Sequence, residues 1–317
     1  HQKNILEVLK DGSKLDSEVR KYLEEENLYT EHHLKNTKDI QKKLFDEIKG
    51  RIKLDDESLP FKDKIYEYWT KTTKDNDYFI KLRKKIGSSE IEEIWNGDKE
   101  KNKIGTKYFG MGNLEVSFND KLLGYSLDVK GSEYYTIYVR KISDEKLVTE
   151  KIKETSGNIL FSLNDEYIFY SKLDSNHRPR KILRHKIGTS VNDDKIIFDE
   201  KDEKFTVSIG LTSDEKYFII SSNDHASSEL YYFKSDQKIP DPKIIRKREN
   251  SVIYSVNSWG DYFYLHTNKD AEDFKICRCK NTELFEWKDF IPAKKDVLIG
   301  GFTMLNNWMI RAEITNA

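Results

Sequence analysis

Hydrophobic positions along the chain follow two different periods, and the change falls near Pro60. Upstream, Ile40, Leu44, Phe45, Ile48 and Ile52 recur at spacings of four, one, three and four, the single apolar stripe of an amphipathic helix. Thr37 stands where a cap for that helix belongs. Earlier still, Asp16 or Ser17 is placed to cap a helix running from Glu18 to Leu34, with Val19, Tyr22, Leu23 and Tyr29 as its inward candidates. Downstream of Pro60 the period drops to two: aromatic and β-branched residues alternate with polar ones, and Gly, Asn and Asp break the runs. The pattern divides the chain into a helical segment, 1–59, and a β domain, 60–317.

The β runs repeat. Asn119-Asp120 leads into Leu122 to Ser126, Asn164-Asp165 into Tyr167 to Ser171, Ser213-Asp214 into Tyr217 to Ser221, and Gly260-Asp261 into Tyr262 to Thr267. An early copy begins at Lys62-Asp63 and a last one at Asn306-Asn307. Registered on positions 63, 120, 165, 214, 261 and 307, the copies lie 57, 45, 49, 47 and 46 residues apart. Each continues through a turn into a second alternating strand: Tyr134 to Val139, Lys181 to Ile187, Glu229 to Phe233, Phe274 to Cys279. A shorter apolar run such as Lys195 to Phe198 completes the unit. A repeat of this length holding about four short strands is a propeller blade, whereas a β-sandwich has no such long period. The expected fold class is therefore all-β, a β-propeller of five to six blades preceded by two amino-terminal α-helices. Five blades read as complete and the sixth breaks off after Ile310-Arg311-Ala312-Glu313. The start at His1 rather than Met and the stop at Asn316-Ala317 read as cut ends.

Charge narrows the partners. Lys plus Arg is 55 against 56 Asp plus Glu, so no basic excess points to nucleic acid. The most basic run, Lys243 to Arg248, reads as a solvated strand edge. No apolar run approaches a membrane span and no signal peptide opens the chain. Cys277 and Cys279, two apart on one strand face, suit neither a strain-free disulfide nor a zinc site. With sparse cysteines and no leader, the expected location is cytoplasmic.

No chemistry stands out. There is no Gly-x-Ser-x-Gly elbow, and Gly110-Met111-Gly112 lacks the lysine and glycines of a phosphate loop. His32 and His33 face different sides of their helix and read as surface residues. His177, His185, His225 and His266 fall at repeat turns or in strands, and His185, on one face with Leu183 and Ile187, reads as a hydrogen-bonded half-buried residue. Catalytic, cofactor and metal residues are therefore expected to number none. A stand-alone propeller serving as a protein-binding scaffold is an alternative, although such repeats often carry Gly-His and Trp-Asp dipeptides and the chain has neither. A propeller glycosidase needs inward carboxylate pairs, and the repeated aspartates read instead as turn caps.

Several segments resemble one family. Tyr22-Leu23 with Glu26-Asn27 and Tyr29 resembles the YL-x-x-EN-x-Y helix that opens members of the prolyl oligopeptidase superfamily. Glu47 to Ile52 followed by Ser58-Leu59-Pro60, then Tyr66 to Trp69 and Tyr78 to Arg83, are similar to its approach to the propeller and its first blade. Asn176-His177-Arg178-Pro179 through His185 and Gly188, Glu200 to Ser208, and Trp287 to Pro292 resemble the oligopeptidase B (protease II) branch, the prolyl branch being the alternative. The resemblance implies a seven-bladed propeller type, truncated here, whose partner is its own C-terminal α/β-hydrolase domain bearing a Ser-Asp-His triad. That domain is expected to be absent from this chain, which alone would be inactive. The parent would cut short basic peptides after Lys or Arg without a cofactor, the propeller excluding folded proteins. Gly131-Ser132-Glu133-Tyr134-Tyr135 resembles a loop that faces the catalytic domain, which makes Glu133 the candidate interdomain contact.

Overall fold

The structure, a computed structural model, describes residues 4–283 and 286–315. The ends on which the expectation of a cut chain rests, His1 and Asn316-Ala317, lie outside them. The chain falls into two compact units, one running up to Gly110 and including Val129–Ser132, the other comprising Met111–Asp128 and the residues from Glu133 on.

The first unit begins with α1 (Ile5–Lys10), α2 (Ser17–Leu34) and α3 (Lys38–Gly50). Asp16 caps α2 as expected, its carboxylate accepting from the Glu18 and Val19 amides. Thr37 does not cap α3. Its hydroxyl donates to the Leu34 carbonyl at 2.7 Å and accepts from Gln41, because the chain enters α3 from a 3-10 turn rather than an extended residue. None of the residues of these helices is buried, including the inward candidates Tyr22, Leu23 and Tyr29. The stripe on α3 is likewise open, with Phe45 62% and Ile48 61% exposed.

A sheet follows in the same unit: β1 (Asp56–Glu57), β2 (Phe61–Asp63), β3 (Tyr66–Thr72), β4 (Ile80–Lys85) and β5 (Ile91–Asn96). It buries Tyr68, Trp69, Ile94 and Trp95. The charged segment after it forms a helix that periodicity did not announce, α4 (Gly97–Ile104). Asn96 caps it by accepting from the Lys99 amide, and Gly105, at φ 69°, ends it in the left-handed region that glycine tolerates.

The second unit is built of antiparallel meanders. Seven strands form one sheet: β6 (Gly110–Val116), β7 (Leu122–Asp128), β8 (Tyr135–Lys141), β9 (Ile152–Phe161), β10 (Tyr167–Leu173), β11 (Pro179–Lys186) and β12 (Lys195–Asp199). It amounts to two four-stranded repeats sharing β9, whose Ile152 pairs back to Ile137 and whose Phe161 pairs forward to Ile168. Gly157, at φ 91°, lies at the change of partner. Then come β13 (Thr206–Leu211), β14 (Tyr217–Asn223), β15 (Ser228–Lys234) and β16 (Lys243–Arg246), followed by β17 (Tyr254–Trp259), β18 (Tyr262–Thr267), β19 (Lys275–Lys280) and β20 (Lys288–Ile291). The last pair is β21 (Val297–Met304) and β22 (Met309–Thr315).

One turn device recurs between the first two strands of three repeats. Ser117, Ser162 and Thr212 each use the hydroxyl twice: it accepts from the backbone amide five residues on and donates to Asn119, Asn164 or Asp214 two residues on. The residue three on, Asp120, Asp165 or Glu215, takes positive φ, as do Lys64 and Gly260 in the neighbouring repeats. The structural register therefore runs through 64, 120, 165, 215 and 260, one residue away from the aspartate register at 63, 214 and 261. The aspartates do cap turns: both carboxylate oxygens of Asp165 accept, each at 2.7 Å, from the Phe118 and Asn119 amides of the preceding repeat.

The core of this unit lies between the two repeats of the seven-stranded sheet and between that sheet and the ones that follow. Ile137, Val139 and Ile152 meet Ile159, Phe161 and Ile168. Phe169 and Ile182 meet Phe218, Ile220 and Phe233, and Leu230 and Ile245 meet Phe263 and Leu265. Each such side chain contributes about 1.5–3 kcal/mol by leaving water.

Candidate functional site

Three of the described histidines, His185, His266 and His177, are engaged structurally. His185 on β11 is fully buried rather than half-buried. Its Nδ1 meets Asp194 Oδ1 at 2.7 Å, and Asp194 Oδ2 accepts from the Tyr170 hydroxyl at 2.7 Å. The Asp-His pairing has the outline of a catalytic dyad, yet Nε2 is enclosed and meets no partner among the described residues. A general base must reach the proton it abstracts. Burial and the bond to Asp194 push the Tyr170 phenol well above its ordinary range, so the cluster fastens the Ser190–Asp194 turn to β10 and β11. His266 Nε2 meets the Ile299 carbonyl at 2.7 Å. His177 packs edge-on against Tyr134, while His32, His33 and His225 are exposed.

The cysteines are buried free thiols. Burial pushes Cys277 up to about 11 and Cys279 up to about 12. A thiol at those values is not a nucleophile near neutral pH. No group of three or more His, Cys, Asp or Glu placed to hold a metal occurs among the described residues.

The densest ionic cluster was not visible in the sequence. Arg248, in the run expected to be a solvated strand edge, donates from Nη2 to Glu200 Oε2 at 2.6 Å and from Nε to Glu229 Oε2 at 3.2 Å. Its guanidinium carbon lies 3.8 Å from the Phe205 ring centroid. Ser222 donates to Glu200, Tyr231 donates to Glu229, and Arg180 donates to the carbonyls of Glu200 and Asp202. Burial alone raises Glu200; Ser222, the Asp202 amide and Arg248 outweigh it and hold the carboxyl below its ordinary value. Glu229 is lowered in the same way, with burial opposed by Tyr231 and by the amide and side chain of Arg248. Two carboxylates sharing one cation stay ionised, so this pair cannot divide into the acid and base of a glycosidase. It clamps the exit of β12 to β14, β15 and β16. Arg246 of the same run packs over Tyr254 and Trp287.

Glu133 lies at the β7–β8 turn with φ 58°, and its amide donates to the buried Asp128 carboxylate at 2.7 Å. Its side chain is exposed. The turn thus holds an acidic group outward on a fixed backbone, which suits ion pairing with a partner and no bond-making chemistry.

Across the described residues, then, most polar groups are locked into turns and clamps or presented to solvent, a few such as His185 Nε2 are enclosed without a partner, and no described helix is long and apolar enough to cross a membrane. Comparison with known proteins agrees with the repeated β architecture. Dipeptidyl aminopeptidase BI of Pseudoxanthomonas mexicana is 28% identical over 98% of this chain and 45% of its own length. Oligopeptidase B from Leishmania major superposes with a TM-score of 0.89 at 22% identity, over 97% of this chain and 44% of that one. Oligopeptidase B from Trypanosoma brucei, solved in a closed form with covalently bound antipain, gives 0.87 at 26% identity over the same shares. The chain spans less than half the length of these relatives. A family profile described as the prolyl oligopeptidase N-terminal beta-propeller domain matches residues 8–317. The repeated meanders, with their recurring left-handed turn and inter-sheet core, are the blades of that domain, and the chain belongs to the prolyl oligopeptidase N-terminal β-propeller family.

Proposed function

We propose that the chain is the access-controlling part of a serine oligopeptidase of the oligopeptidase B kind, which cuts short peptides after Lys or Arg. The nucleophile, acid and histidine come from an α/β-hydrolase domain outside these 317 residues, so the chain alone does not hydrolyse peptides. The observation that carries the reading is the 26% identity, over 97% of the chain, to the oligopeptidase B that holds antipain covalently. In this reading residues 1–59 serve the catalytic domain, which covers the open stripe of Ile40, Leu44, Phe45 and Ile48 on α3. Residues 60–317 form the propeller that keeps folded proteins from the active site, and Glu133 pairs with a basic group across the gap. Location is cytoplasmic, and no cofactor takes part.

The 28% identity to dipeptidyl aminopeptidase BI favours a second reading, removal of dipeptides from a free amino terminus. Quenched peptides with Arg, Lys or Pro before the cut, each with a free or acetylated amino terminus, distinguish the two on the full-length protein. Cleavage of acetylated Arg and Lys peptides is expected. A need for the free terminus establishes the second reading, a preference for Pro moves the protein to the prolyl branch, and digestion of a stably folded protein overturns the filter. Glu133→Ala is expected to change turnover of short peptides while leaving the melting temperature unchanged.

A further inference from the structure

Between the sheet that ends in β12 and the β13–β16 sheet lies a cleft of about 320 Å³. This is the lower end of the range for small-molecule sites. Phe169, Phe218 and Phe233, all nearly fully buried, line it, with the Phe169 and Phe218 ring centroids 4.8 Å apart. Against this apolar lining stands one guanidinium. Arg184 on β11 stacks over Tyr167, its Cζ 4.3 Å from the ring centroid, and Nη1 donates to the Lys238 carbonyl at 2.7 Å. The two contacts hold the plane of the group from one face and one edge. Lys238 O is the one acceptor the guanidinium meets among the described residues, and Nε is enclosed without any. The charged side chains lining the cleft are Arg184, Lys238 and Asp236, an excess of one positive charge.

We propose that this cleft binds a small monocarboxylate with an apolar body, the carboxylate on Arg184 and the body among the three phenylalanines. The physical reason is complementarity of two kinds at once. A planar guanidinium fixed by a stack and a backbone bond meets a carboxylate with little loss of side-chain freedom. The apolar lining rewards a hydrocarbon or aryl group and gives a hydrated ion such as phosphate nothing to bury. Asp236 at the same cleft, set against two cations, favours a single negative charge over several. Both the carboxyl-terminal residue of a peptide ending in an apolar side chain and a free aryl or branched acid carry this chemistry. Arg184 falls within the segment that resembles the oligopeptidase B branch, but the cleft is argued from its own lining and contacts and stands apart from the peptidase reading.

The test uses the full-length protein and two matched pairs of probes, 3-phenylpropionate with 3-phenylpropionamide and the dipeptide Ala-Phe with its carboxamide, followed by calorimetry and ligand-observed NMR. The acid of at least one pair is expected to bind tenfold or more tightly than its amide, a difference worth about 1.4 kcal/mol. Arg184→Gln is expected to abolish that preference, and Arg184→Lys to keep part of it. Preference within the dipeptide pair alone assigns the cleft to peptide termini, and preference within the other pair alone to free acids. Equal binding of acid and amide, or no binding of any probe at about 10 mM, overturns the proposal, because useful recognition of such ligands begins near millimolar affinity. The acid–amide comparison is made on the unmutated protein, so it stands even if Arg184 variants fold poorly.

Discussion

Replacing Arg248 with alanine should be among the most destabilising single changes in the second unit that leave its apolar core intact. The substitution deletes the bonds to Glu200 and Glu229 and the stack on Phe205, while the backbone amide of residue 248 can still donate to Glu229 at 3.0 Å. It leaves two carboxylates whose side chains are 6% and 12% exposed with only Ser222, Tyr231 and backbone amides for partners. Removing one member of a buried pair costs about 3–5 kcal/mol, most of it the penalty of the charge left behind. Arg248 is itself 28% exposed, so water screens part of the interaction and the lower end, about 3 kcal/mol, is the expected value. For a unit of this size that corresponds to a melting temperature lowered by roughly 6–12 °C.

The sharper test is rescue. If the cost is stranded charge, adding Glu200→Gln and Glu229→Gln to Arg248→Ala should recover half or more of the loss, because neutral amides carry no buried charge. Melting curves followed by tryptophan fluorescence and by far-ultraviolet circular dichroism suffice for all the variants. A loss under about 1 kcal/mol for Arg248→Ala, or triple substitution that adds damage rather than relieving it, would refute the argument.

The same cluster sets an acid limit. Glu200 and Glu229 have folded-state values below the ordinary 4.5, so the stability they confer is complete above about pH 4.5 and is lost as pH falls through the lowered values. Melting temperature measured against pH should therefore drop more steeply below pH 4.5 in the wild type than in Glu200→Gln/Glu229→Gln; parallel profiles would contradict this. Cys277 and Cys279, pushed to about 11 and about 12, should resist maleimide at pH 8 in the native protein and label fully once it is unfolded, as counted by mass spectrometry. Gly157→Ala should cost about 1–3 kcal/mol, because φ is 91° and a Cβ would lie 3.0 Å from Tyr135 Cγ and 3.1 Å from Ser126 Oγ. Gly210→Ala, in open space, should stay within about 0.5 kcal/mol, and equal melting shifts for the two would overturn the strain argument.

What could be read from the sequence was what is local. The stripe on α3, the cap of α2 by Asp16 and the alternation in the strands each depend on residues a few positions apart, and each appears where the pattern put it. The repeat was found for the same reason, but its register slipped by one at 63, 214 and 261. The fixed feature is a left-handed backbone position, which Lys64, Asp120, Asp165, Glu215 and Gly260 all occupy, and the letter Asp is an imperfect proxy for a dihedral angle. The helix α4 escaped because eight mostly charged residues show no stripe; Asn96 and Gly105 bracket it, a signal readable only as a pair.

The polar centres were hidden by distance along the chain. Arg248 meets Glu200 across 48 residues, and nothing near Arg248 distinguishes a clamped arginine from the exposed Lys243 and Lys247 beside it. Asp194 is only nine residues from His185, yet the bond depends on a 3-10 turn that brings the carboxylate back over β11. The cleft beside Arg184 joins residues from four strands and two loops, so its lining exists only once two blades pack. In a propeller the repeat specifies each blade, and the seams between blades are where sequence-distant groups meet. The clamp at Arg248 and the cleft at Arg184 both lie on the seam between the β9–β12 and β13–β16 blades, because a seam offers enough burial to fix a guanidinium and two independent backbones to present its partners.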